Sequence, residues 1–335
     1  MSTHQEVIIA ELPTGDLETT HFALREAERP RAAAAGQVLV RTLLMSIDAA
    51  NRAWMQGATY RDAVKAGDVM PTYAVGQVVD SGSGRFAAGD IVGLEGGWAE
   101  YVQVDEHRVM PLPDVRPLSN LLSVYGVAGK TAYHGLVGVG RPVAGETIVV
   151  SAAAGSVGIF VGQIGKALGC RVVGIAGGAD KCSWVTSELG FDACVDYREG
   201  NLFRSLREAC PDGVDIYFDN VGGQILETVL FQMNLRGRVV CCGAVSQYNS
   251  TAPTGPRNLP GLVVVKRLRM EGFIVMDFAD DDEKALTDLR RWVAEGQVKV
   301  VEDIVEGIEN APAALVGLLG GDNRGKRMVR VAPDP

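Results

Sequence analysis

Apolar residues in the first third of the chain recur in short runs that alternate with polar positions, as in half-buried strands. These runs cover residues 36–43, 73–79, 86–94 and 98–104, and a glycine- and serine-rich turn lies at residues 80–84. Pro111, Pro113 and Pro117 then interrupt the pattern. The pattern predicts a small, twisted, β-rich module that ends near residue 122.

From about residue 123 short buried strands alternate with amphipathic helices. We predict strands at 147–151, 171–176, 193–197, 214–219, 237–243 and 269–275, and helices at 156–168, 180–189, 201–210 and 223–233. Such alternation is typical of a parallel sheet with helices on both faces. Six strands in this order match a complete doubly wound, Rossmann-type dinucleotide-binding domain.

The rest of the chain predicts a helix between residues 280 and 297, then a strand, a short helix at 311–319 and a last strand at 327–331. We expect this tail to cover an edge of the N-terminal sheet. The predicted fold class is therefore α/β with two domains. Residues 1–122 and 301–335 form the β-rich domain, and residues 123–300 form the Rossmann domain.

A small-residue turn after the first strand of the Rossmann domain is the centre of the predicted cofactor site. The spacing G-x-G-x-x-G occurs as Ala153, Gly155 and Gly158, with alanine in place of the first glycine. A helix follows the turn and a second strand, 171–176, follows at βαβ distance. This arrangement predicts that a pyrophosphate binds at a helix N-terminus.

Composition narrows the class of protein. The chain has 335 residues, 47% of them hydrophobic and 22% charged, which is ordinary for a globular enzyme. A net charge of −9 argues against nucleic acid as a partner, and no apolar run approaches the ~18 residues of a membrane span. The first residues show no secretory signal pattern, so we expect a cytoplasmic protein.

Metal-ligating residue types are scattered along the chain. All six cysteines lie beyond residue 169 without C-x-x-C spacing, and the four histidines are isolated from one another. A structural or catalytic zinc site needs several such ligands close together. We therefore expect no metal, and we interpret the cysteines as small buried apolar residues.

The end of the second Rossmann strand indicates which nucleotide binds. NAD-preferring domains place a carboxylate there to bind the ribose 2′-hydroxyl. Here Ala176, Gly177 and Gly178 occupy the position, and Lys181 follows Asp180. The sequence therefore favours NADPH, whose 2′-phosphate a lysine would neutralise. Alternatively, Lys181 is only a solvated charge on its helix.

Five separated segments carry a family resemblance. They are residues 152–158, 161–178, 218–223, 242–249 and 321–326. The chain resembles the zinc-independent medium-chain reductases, in particular the prostaglandin reductase, leukotriene hydroxydehydrogenase and curcumin reductase group. The resemblance implies a GroES-like catalytic domain, completed by the C-terminal tail, and a homodimer. It also implies NADPH-dependent reduction of the C=C bond of an α,β-unsaturated aldehyde or ketone.

The resemblance also implies the cofactor contacts. Ala154, Gly155, Ser156 and Val157 would meet the pyrophosphate, Lys181 and Tyr197 would meet the 2′-phosphate, and Gly178 belongs to the same set. The residues expected around the nicotinamide half are Asn220, Cys242, Gly243, Ala244, Val245, Ser246, Tyr248, Phe273, Ile274, Val275 and Asn323.

The chemistry of enone reduction adds a catalytic candidate. Hydride addition to the β-carbon places negative charge on the carbonyl oxygen, so the protein must supply a hydrogen-bond donor there. We expect Tyr248 to act directly or through the nicotinamide ribose, or alternatively only to pack or to position the ribose. The alternative functions are quinone reduction with NADPH and a non-catalytic NADPH-binding module.

Two positions depart from the family pattern in the N-terminal part. The family's Asp-Pro-Tyr-Met-Arg run is here residues 48–52, so Ala50 stands where the aromatic would contact substrate. We therefore expect a reshaped pocket lined by Asn51 and Tyr60. Lys130 stands where the family tends to have an apolar residue. The sequence leaves two interpretations open: the lysine lies on the surface, or it contacts an acidic substrate.

Overall fold

The computed structural model describes residues 2–30, 33–250, 252 and 254–335. The chain divides into two compact units. The first contains the chain up to Leu122, Glu302–Asp322 and Arg327–Pro335, and the second contains Ser123–Val301 and Asn323–Lys326. No helix in the described ranges is both long and apolar enough to span a membrane.

The N-terminal part of the chain is β-rich, as its alternating pattern predicts. Its elements are β1 (Thr3–Ile9), β2 (Phe22–Glu28), β3 (Gln37–Ser46), α1 (Ala49–Trp54), β4 (Pro71–Ser81), β5 (Ile91–Gly97), β6 (Tyr101–Asp105) and β7 (Val109–Pro111). β1 and β2 form an antiparallel pair that the sequence analysis did not identify. The four strands that the alternating pattern predicts are present as β3, β4, β5 and β6.

The middle of the chain alternates strands and helices. It contains α2 (Val127–Tyr133), a π-helical segment (His134–Gly140), β8 (Thr147–Ser151), α3 (Gly158–Ala167), β9 (Arg171–Ala176), α4 (Ala179–Leu189), β10 (Ala193–Asp196), α5 (Leu202–Ala209), β11 (Val214–Asp219), α6 (Gly223–Leu230), β12 (Met233–Cys241), α7 (Leu259–Lys266), β13 (Arg269–Gly272) and α8 (Asp282–Ala294). The tail adds β14 (Glu302–Glu306), α9 (Ala311–Gly320) and β15 (Lys326–Arg330).

The sheet of the first unit incorporates the tail. Its strand order is β14-β15-β3-β4-β5-β7, and β6 pairs with β3. β15 runs antiparallel to β3, with Val329 opposite Met45. Val329 and Met45 belong to one apolar cluster with Leu315 of α9. The tail therefore supplies both strands and core side chains to the first unit.

The second unit contains a parallel sheet in the order β10-β9-β8-β11-β12-β13. All five residues of β8 are buried, because helices cover both faces of a doubly wound sheet. The chain passes from β8 to β9 and β10 on one side, and α5 then returns it to β11 on the other side of β8, so a crevice opens between the carboxyl ends of β8 and β11. The predicted α/β fold class with a β-rich part and a Rossmann sheet is confirmed.

Several element boundaries differ from the predictions. β12 begins at Met233 rather than at residue 237, because a register shift opposite β11 absorbs the polar stretch around Asn234 and Arg236. β13 ends at Gly272, so Phe273 and Val275 lie beyond the strand. Helix α7 was not predicted. Residues 323–326, expected with the tail in the first domain, pack with the second unit.

Candidate active site

The turn between β8 and α3 depends on the absence of side chains at two points. A Cβ on Gly158 would lie 2.2 Å from the Ala152 carbonyl oxygen, so only glycine fits where α3 begins. Ala153, in the place of the family's first glycine, is fully buried. It fits because β9 carries Gly174 opposite, where an added Cβ would lie 2.8 Å from the Ala153 Cβ. The turn therefore leads into a helix N-terminus, where unpaired N–H groups favour an anion.

Residues of the tail complete this turn within the second unit. The Gly325 N–H donates to the Ala154 carbonyl at 2.9 Å, and the Asn323 side-chain amide donates to the Gly325 carbonyl at 2.9 Å. Lys181 Nζ donates to the Asn323 carbonyl at 2.7 Å. The resemblance implies that Asn323 binds the nicotinamide half and that Lys181 binds the 2′-phosphate, at opposite ends of the cofactor. In the structure these two residues are hydrogen-bonded to each other, so Asn323 lies beside Lys181 and the turn after β8.

A cationic group surrounds the end of β9; we define Gly178, Lys181, Tyr197 and Arg198 as the β9-end cluster. Gly178 has a φ of 95° and donates its N–H to Asp196 Oδ1 at 2.9 Å. Tyr197 is 45% exposed, and the Arg198 guanidinium lies 5.7 Å from the centre of its ring.

Arg198 is a member of this cluster that sequence reasoning missed. An added Cβ on Gly177 would lie 2.8 Å from Arg198 Nε, so the guanidinium lies directly over Gly177. The available signal was its position next to Tyr197, just after β10. The end of β9 itself carries no carboxylate, and Asp196 belongs to β10. Two cations and a phenol can bind a phosphate monoester here.

A buried polar network occupies the crevice between β8 and β11. Asp219 is 3% exposed, and its Oδ1 accepts from the Tyr217 hydroxyl at 2.8 Å and the Gly222 N–H at 2.9 Å. Burial raises the pKa of the Asp219 carboxyl, although these donors favour its charged form. Asn220 donates its side-chain amide to the Ser151 carbonyl at 2.8 Å. The network fixes the two strand ends against each other.

Residues 242–248 follow β12 and are bonded to the end of β11; we call them the β12-end segment. The Cys242 N–H donates to the Asp219 carbonyl at 2.9 Å, and the Val245 N–H donates to the Asn220 carbonyl at 3.2 Å. Burial, with Asp219 and Cys241 nearby, raises the pKa of the Cys242 thiol to about 12. The thiol is therefore neutral, and none of the seven residues carries a charged side chain.

Tyr248 ends the β12-end segment with its phenol turned back along it. The Ala244 N–H donates to the Tyr248 hydroxyl oxygen at 3.3 Å. Burial raises the pKa of the Tyr248 phenol, and the Ala244 amide offsets this only in part. The phenol therefore stays protonated at neutral pH, the state in which it can donate a hydrogen bond.

The residues after β13 rest on an aromatic stack. The Phe273 ring lies 6.4 Å from Phe218 and 6.1 Å from Phe278, both edge-on. His134 stacks on Phe278 at 5.0 Å with an interplanar angle of 17°. An added Cβ on Gly135 would lie 2.5 Å from the Phe273 ring, so the π-helical segment leaves room for it.

Lys130 has a structural partner. Its Nζ lies 2.6 Å from Asp282 Oδ2, and His134 Nε2 lies 3.1 Å from the other oxygen of the same carboxylate. Asp282 begins α8. The lysine therefore joins α2 to α8, which explains its place in this chain without an acidic substrate.

The two substrate-pocket candidates of the first unit differ in character. Asn51 is 1% exposed, donates to the Pro71 carbonyl at 2.9 Å and accepts from the Asp48 N–H at 2.9 Å. The nitrogen and the oxygen of its side-chain amide are therefore both hydrogen-bonded to backbone groups. Tyr60 is 52% exposed and accepts from Trp54 Nε1 at 3.2 Å. Ala50 is half-buried against the apolar cluster of this unit.

The cysteines occupy mixed environments. Cys170, Cys182 and Cys210 are buried, and Cys194, Cys241 and Cys242 are half-buried. Across the described ranges, no three His, Cys, Asp or Glu side chains are grouped so that they could hold a metal ion.

The doubly wound sheet, the glycine turn and the cationic β9-end cluster define a dinucleotide-dependent oxidoreductase. Two family models match the chain: one described as the N-terminal domain of oxidoreductase over residues 5–112, and one described as zinc-binding dehydrogenase over residues 156–292. NADPH-dependent curcumin reductase of Escherichia coli (strain K12) is 41% identical, covering 98% of this chain and 96% of that protein.

Two further relatives define the group. The NADP(+)-dependent 2-alkenal reductase of Nicotiana tabacum is 41% identical over 88% of this chain and 87% of its own length. CurA from Vibrio vulnificus, solved in complex with NADPH, superposes with a TM-score of 0.94 at 37% identity, covering 98% of this chain and all of that one. The chain belongs to the zinc-independent medium-chain reductases, and the resemblance seen in the motifs is confirmed.

Proposed function

We propose that the protein uses NADPH to reduce the C=C bond of α,β-unsaturated aldehydes and ketones. The observation that carries this proposal is Tyr248, a half-buried and protonated phenol in a segment bonded across the end of β11. The names of the curcumin and 2-alkenal reductases, both NADP(H)-dependent, support the same chemistry.

The residues present fit NADPH at the phosphate end. Glycine at 158 keeps the turn before α3 open, and Ala154, Gly155, Ser156 and Val157 follow β8 where a pyrophosphate would bind. A side chain at Gly178, whose φ is 95°, would be strained. Lys181, Tyr197 and Arg198 would hold the 2′-phosphate, and the carboxylate that selects NAD is absent from the end of β9.

The nicotinamide half would lie along Asn220, the β12-end segment and the residues after β13. Cys242, Gly243, Ala244, Val245 and Ser246 contribute backbone, and Phe273, Ile274 and Val275 contribute apolar surface. Bound NADPH supplies a hydride to the electron-poor β-carbon of the substrate. The task left to the chain is to stabilise the negative charge that develops on the carbonyl oxygen.

Tyr248 performs that task as a hydrogen-bond donor, directly or through a ribose hydroxyl. A donor aimed at a developing oxyanion contributes about 2.7–4 kcal/mol. Because burial raises the phenol's pKa, the proton stays on Tyr248 through the reaction. Burial partly removes the Tyr248 phenol from water, and a hydrogen bond to a developing charge is stronger there than in bulk water.

We also propose a substrate-binding residue within the first unit. We assign this role to Tyr60, which is exposed and held by Trp54, whose ring also carries the Arg61 guanidinium at 4.4 Å. Arg61 is itself paired with Glu95 at 2.7 Å. Asn51 would act indirectly on the pocket, because its hydrogen bond to the Pro71 carbonyl holds α1 in place.

The test is oxidation of NADPH, followed at 340 nm, with a 2-alkenal, an alkenone and a benzoquinone as parallel substrates. We expect turnover of the first two and a product reduced at the C=C bond with the carbonyl retained. Turnover of the quinone alone would make the protein a quinone reductase. Binding of NADPH without turnover of any substrate would make it a binding module.

A homodimer is the second part of the proposal. β13 is the last strand of the parallel sheet, and its four residues are exposed or half-exposed. Val264 and Val265 of α7, the helix before it, are 73% and 67% exposed. An unpaired edge beside exposed valines is a surface that a second copy would cover. Light scattering coupled to size-exclusion chromatography should give twice the chain mass, and a monomer at micromolar concentration would contradict the proposal.

A further inference from the structure

Two cysteines lie in contact beside the β9-end cluster. Cys182 is the fourth residue of α4, and Cys194 is the second residue of β10. Their sulfur atoms are 3.2 Å apart, and both are free thiols. Twelve positions separate them in the chain, and only the packing of α4 on β10 brings them together.

The two thiols are chemically unequal. Contact with Cys194 lowers the pKa of Cys182 below its ordinary value, and the first turn of a helix also favours a thiolate. Contact with Cys182, together with burial, raises the pKa of Cys194 well above the ordinary range. Cys182 is 9% exposed and Cys194 is half-buried, so a small oxidant can reach the pair.

We propose that Cys182 and Cys194 form an oxidative modification site that a hydroperoxide converts to an intramolecular disulfide. The Cys182 thiolate attacks the terminal peroxide oxygen, the O–O bond breaks, and the alcohol leaves with a proton. The Cys194 sulfur then attacks the resulting sulfenic acid and displaces its hydroxide, which takes up the Cys194 proton and leaves as water. Two thiols together lose two electrons, and the hydroperoxide is reduced to alcohol and water.

Disulfide formation would change the geometry of the β9-end cluster. The sulfurs must approach from 3.2 Å to about 2.05 Å, and the side-chain torsions of both cysteines and the packing of α4 on β10 must adjust to it. Lys181 directly precedes Cys182, and Asp196, which accepts from the Gly178 N–H, lies two residues after Cys194. Both ends of the bridge are therefore coupled to the cluster. This consequence rests on the proposed role of the cluster in binding NADPH.

The experiment treats the full chain with hydrogen peroxide in the absence of cofactor. We expect titratable thiols to fall from six to four, and peptide mass spectrometry to find residues 182 and 194 linked. The Kd for NADPH, measured by fluorescence, should rise at least threefold and return to its original value after dithiothreitol. Cys182→Ser and Cys194→Ser should each abolish the peptide link and the change in Kd.

Cys210→Ser is the matched control, because it removes a buried thiol that lies elsewhere, at the C-terminal end of α5. It should leave both the link and the change in Kd intact. Absence of the 182–194 link overturns the modification site, and a link that leaves the Kd unchanged overturns its effect on the cofactor. The proposed function fails separately, if the reduced protein does not prefer NADPH to NADH.

Discussion

The two ends of the proposed cofactor site differ in charge and in exposure. The β9-end cluster contains two cations, and its Tyr197 is 45% exposed. The β12-end segment has no charged side chain, and burial raises the pKa of both Cys242 and Tyr248. The β9-end cluster is therefore suited to bind a phosphate that stays near solvent. The β12-end segment is suited to stabilise negative charge that forms during the reaction.

The difference follows from what each end has to stabilise. A 2′-phosphate is charged before and after binding, so cations near the surface serve it and are partly screened by water. The charge on an enolate oxygen exists only during the reaction, and a fixed neutral donor in a low-dielectric place stabilises it without solvent reorganisation. Changes at the two ends should therefore affect different kinetic constants.

The largest effect is expected at the β12-end segment. Tyr248→Phe should lower kcat about 100-fold or more, because a donor to an oxyanion contributes ~2.7–4 kcal/mol. The KM for NADPH should change little, because the phenyl ring keeps its packing. Steady-state kinetics with a 2-alkenal measure both constants.

Tyr125→Phe is the control for this variant, since it removes a phenol that lies over Arg290 at 5.9 Å. It should keep kcat. If Tyr248→Phe retains kcat within about twofold, the donor role is wrong and the two ends do not divide binding from chemistry.

The pH profile sharpens the same point. Burial raises the folded-state pKa of Tyr248 above its ordinary value of 10. Only the protonated phenol donates, so kcat should stay level as pH rises from 7 to 10 and fall only above that. The profile is measured at saturating NADPH. A fall in kcat centred near pH 8 that is absent in Tyr248→Phe would contradict the assigned state of the phenol.

An intermediate effect is expected at the β9-end cluster. Lys181→Gln and Arg198→Gln should each raise the KM for NADPH about tenfold, the equivalent of ~1.4 kcal/mol, while kcat at saturation is kept. The KM for NADH should remain within twofold, because NADH has no 2′-phosphate. The quantity to compare is the ratio of the KM for NADPH to the KM for NADH, with and without each substitution.

Lys166→Gln is the matched control, because it removes a positive charge of α3 that is paired with Asp192 at 2.8 Å. It should leave both KM values unchanged. Equal losses with NADPH and NADH at Arg198 would show that the residue supports the fold rather than the phosphate.

The smallest effect is expected at the contact between α2 and α8. Asp282→Asn leaves Lys130 and His134 without their shared carboxylate, which at one-quarter exposure should cost about 1 kcal/mol of unfolding free energy. Thermal denaturation should show a decrease of a few degrees in Tm, with kcat kept. Glu208→Gln, in an exposed pair with Arg204, should change nothing measurable.

The sequence predicted the parallel sheet well because each βαβ unit carries its own local pattern. Five continuous buried residues in β8 and the amphipathic helices around it fix the element types without reference to the rest of the chain. β12 was harder, since Asn234 and Arg236 look like a turn, and only pairing with β11 makes the stretch a strand.

Parts of the site were predictable for the same reason. The missing carboxylate after Ala176 and the glycine at 158 are local features with a direct physical meaning. Arg198 is missed from the sequence because its position next to Tyr197 does not show that its guanidinium lies over Gly177. The environment of Asn51 was likewise invisible, because burial depends on what packs over α1.

The sequence by itself therefore determined the α/β class, the glycine turn before α3 and the preference for a phosphorylated dinucleotide. Only the tertiary structure brought Asn323 onto Lys181 across 142 positions, Asp282 onto Lys130 across 152, and Cys182 onto Cys194. The physical reason is the distance along the chain over which each kind of interaction acts. Periodicity and turn chemistry act over a few residues, whereas contacts between distant residues depend on how whole elements pack.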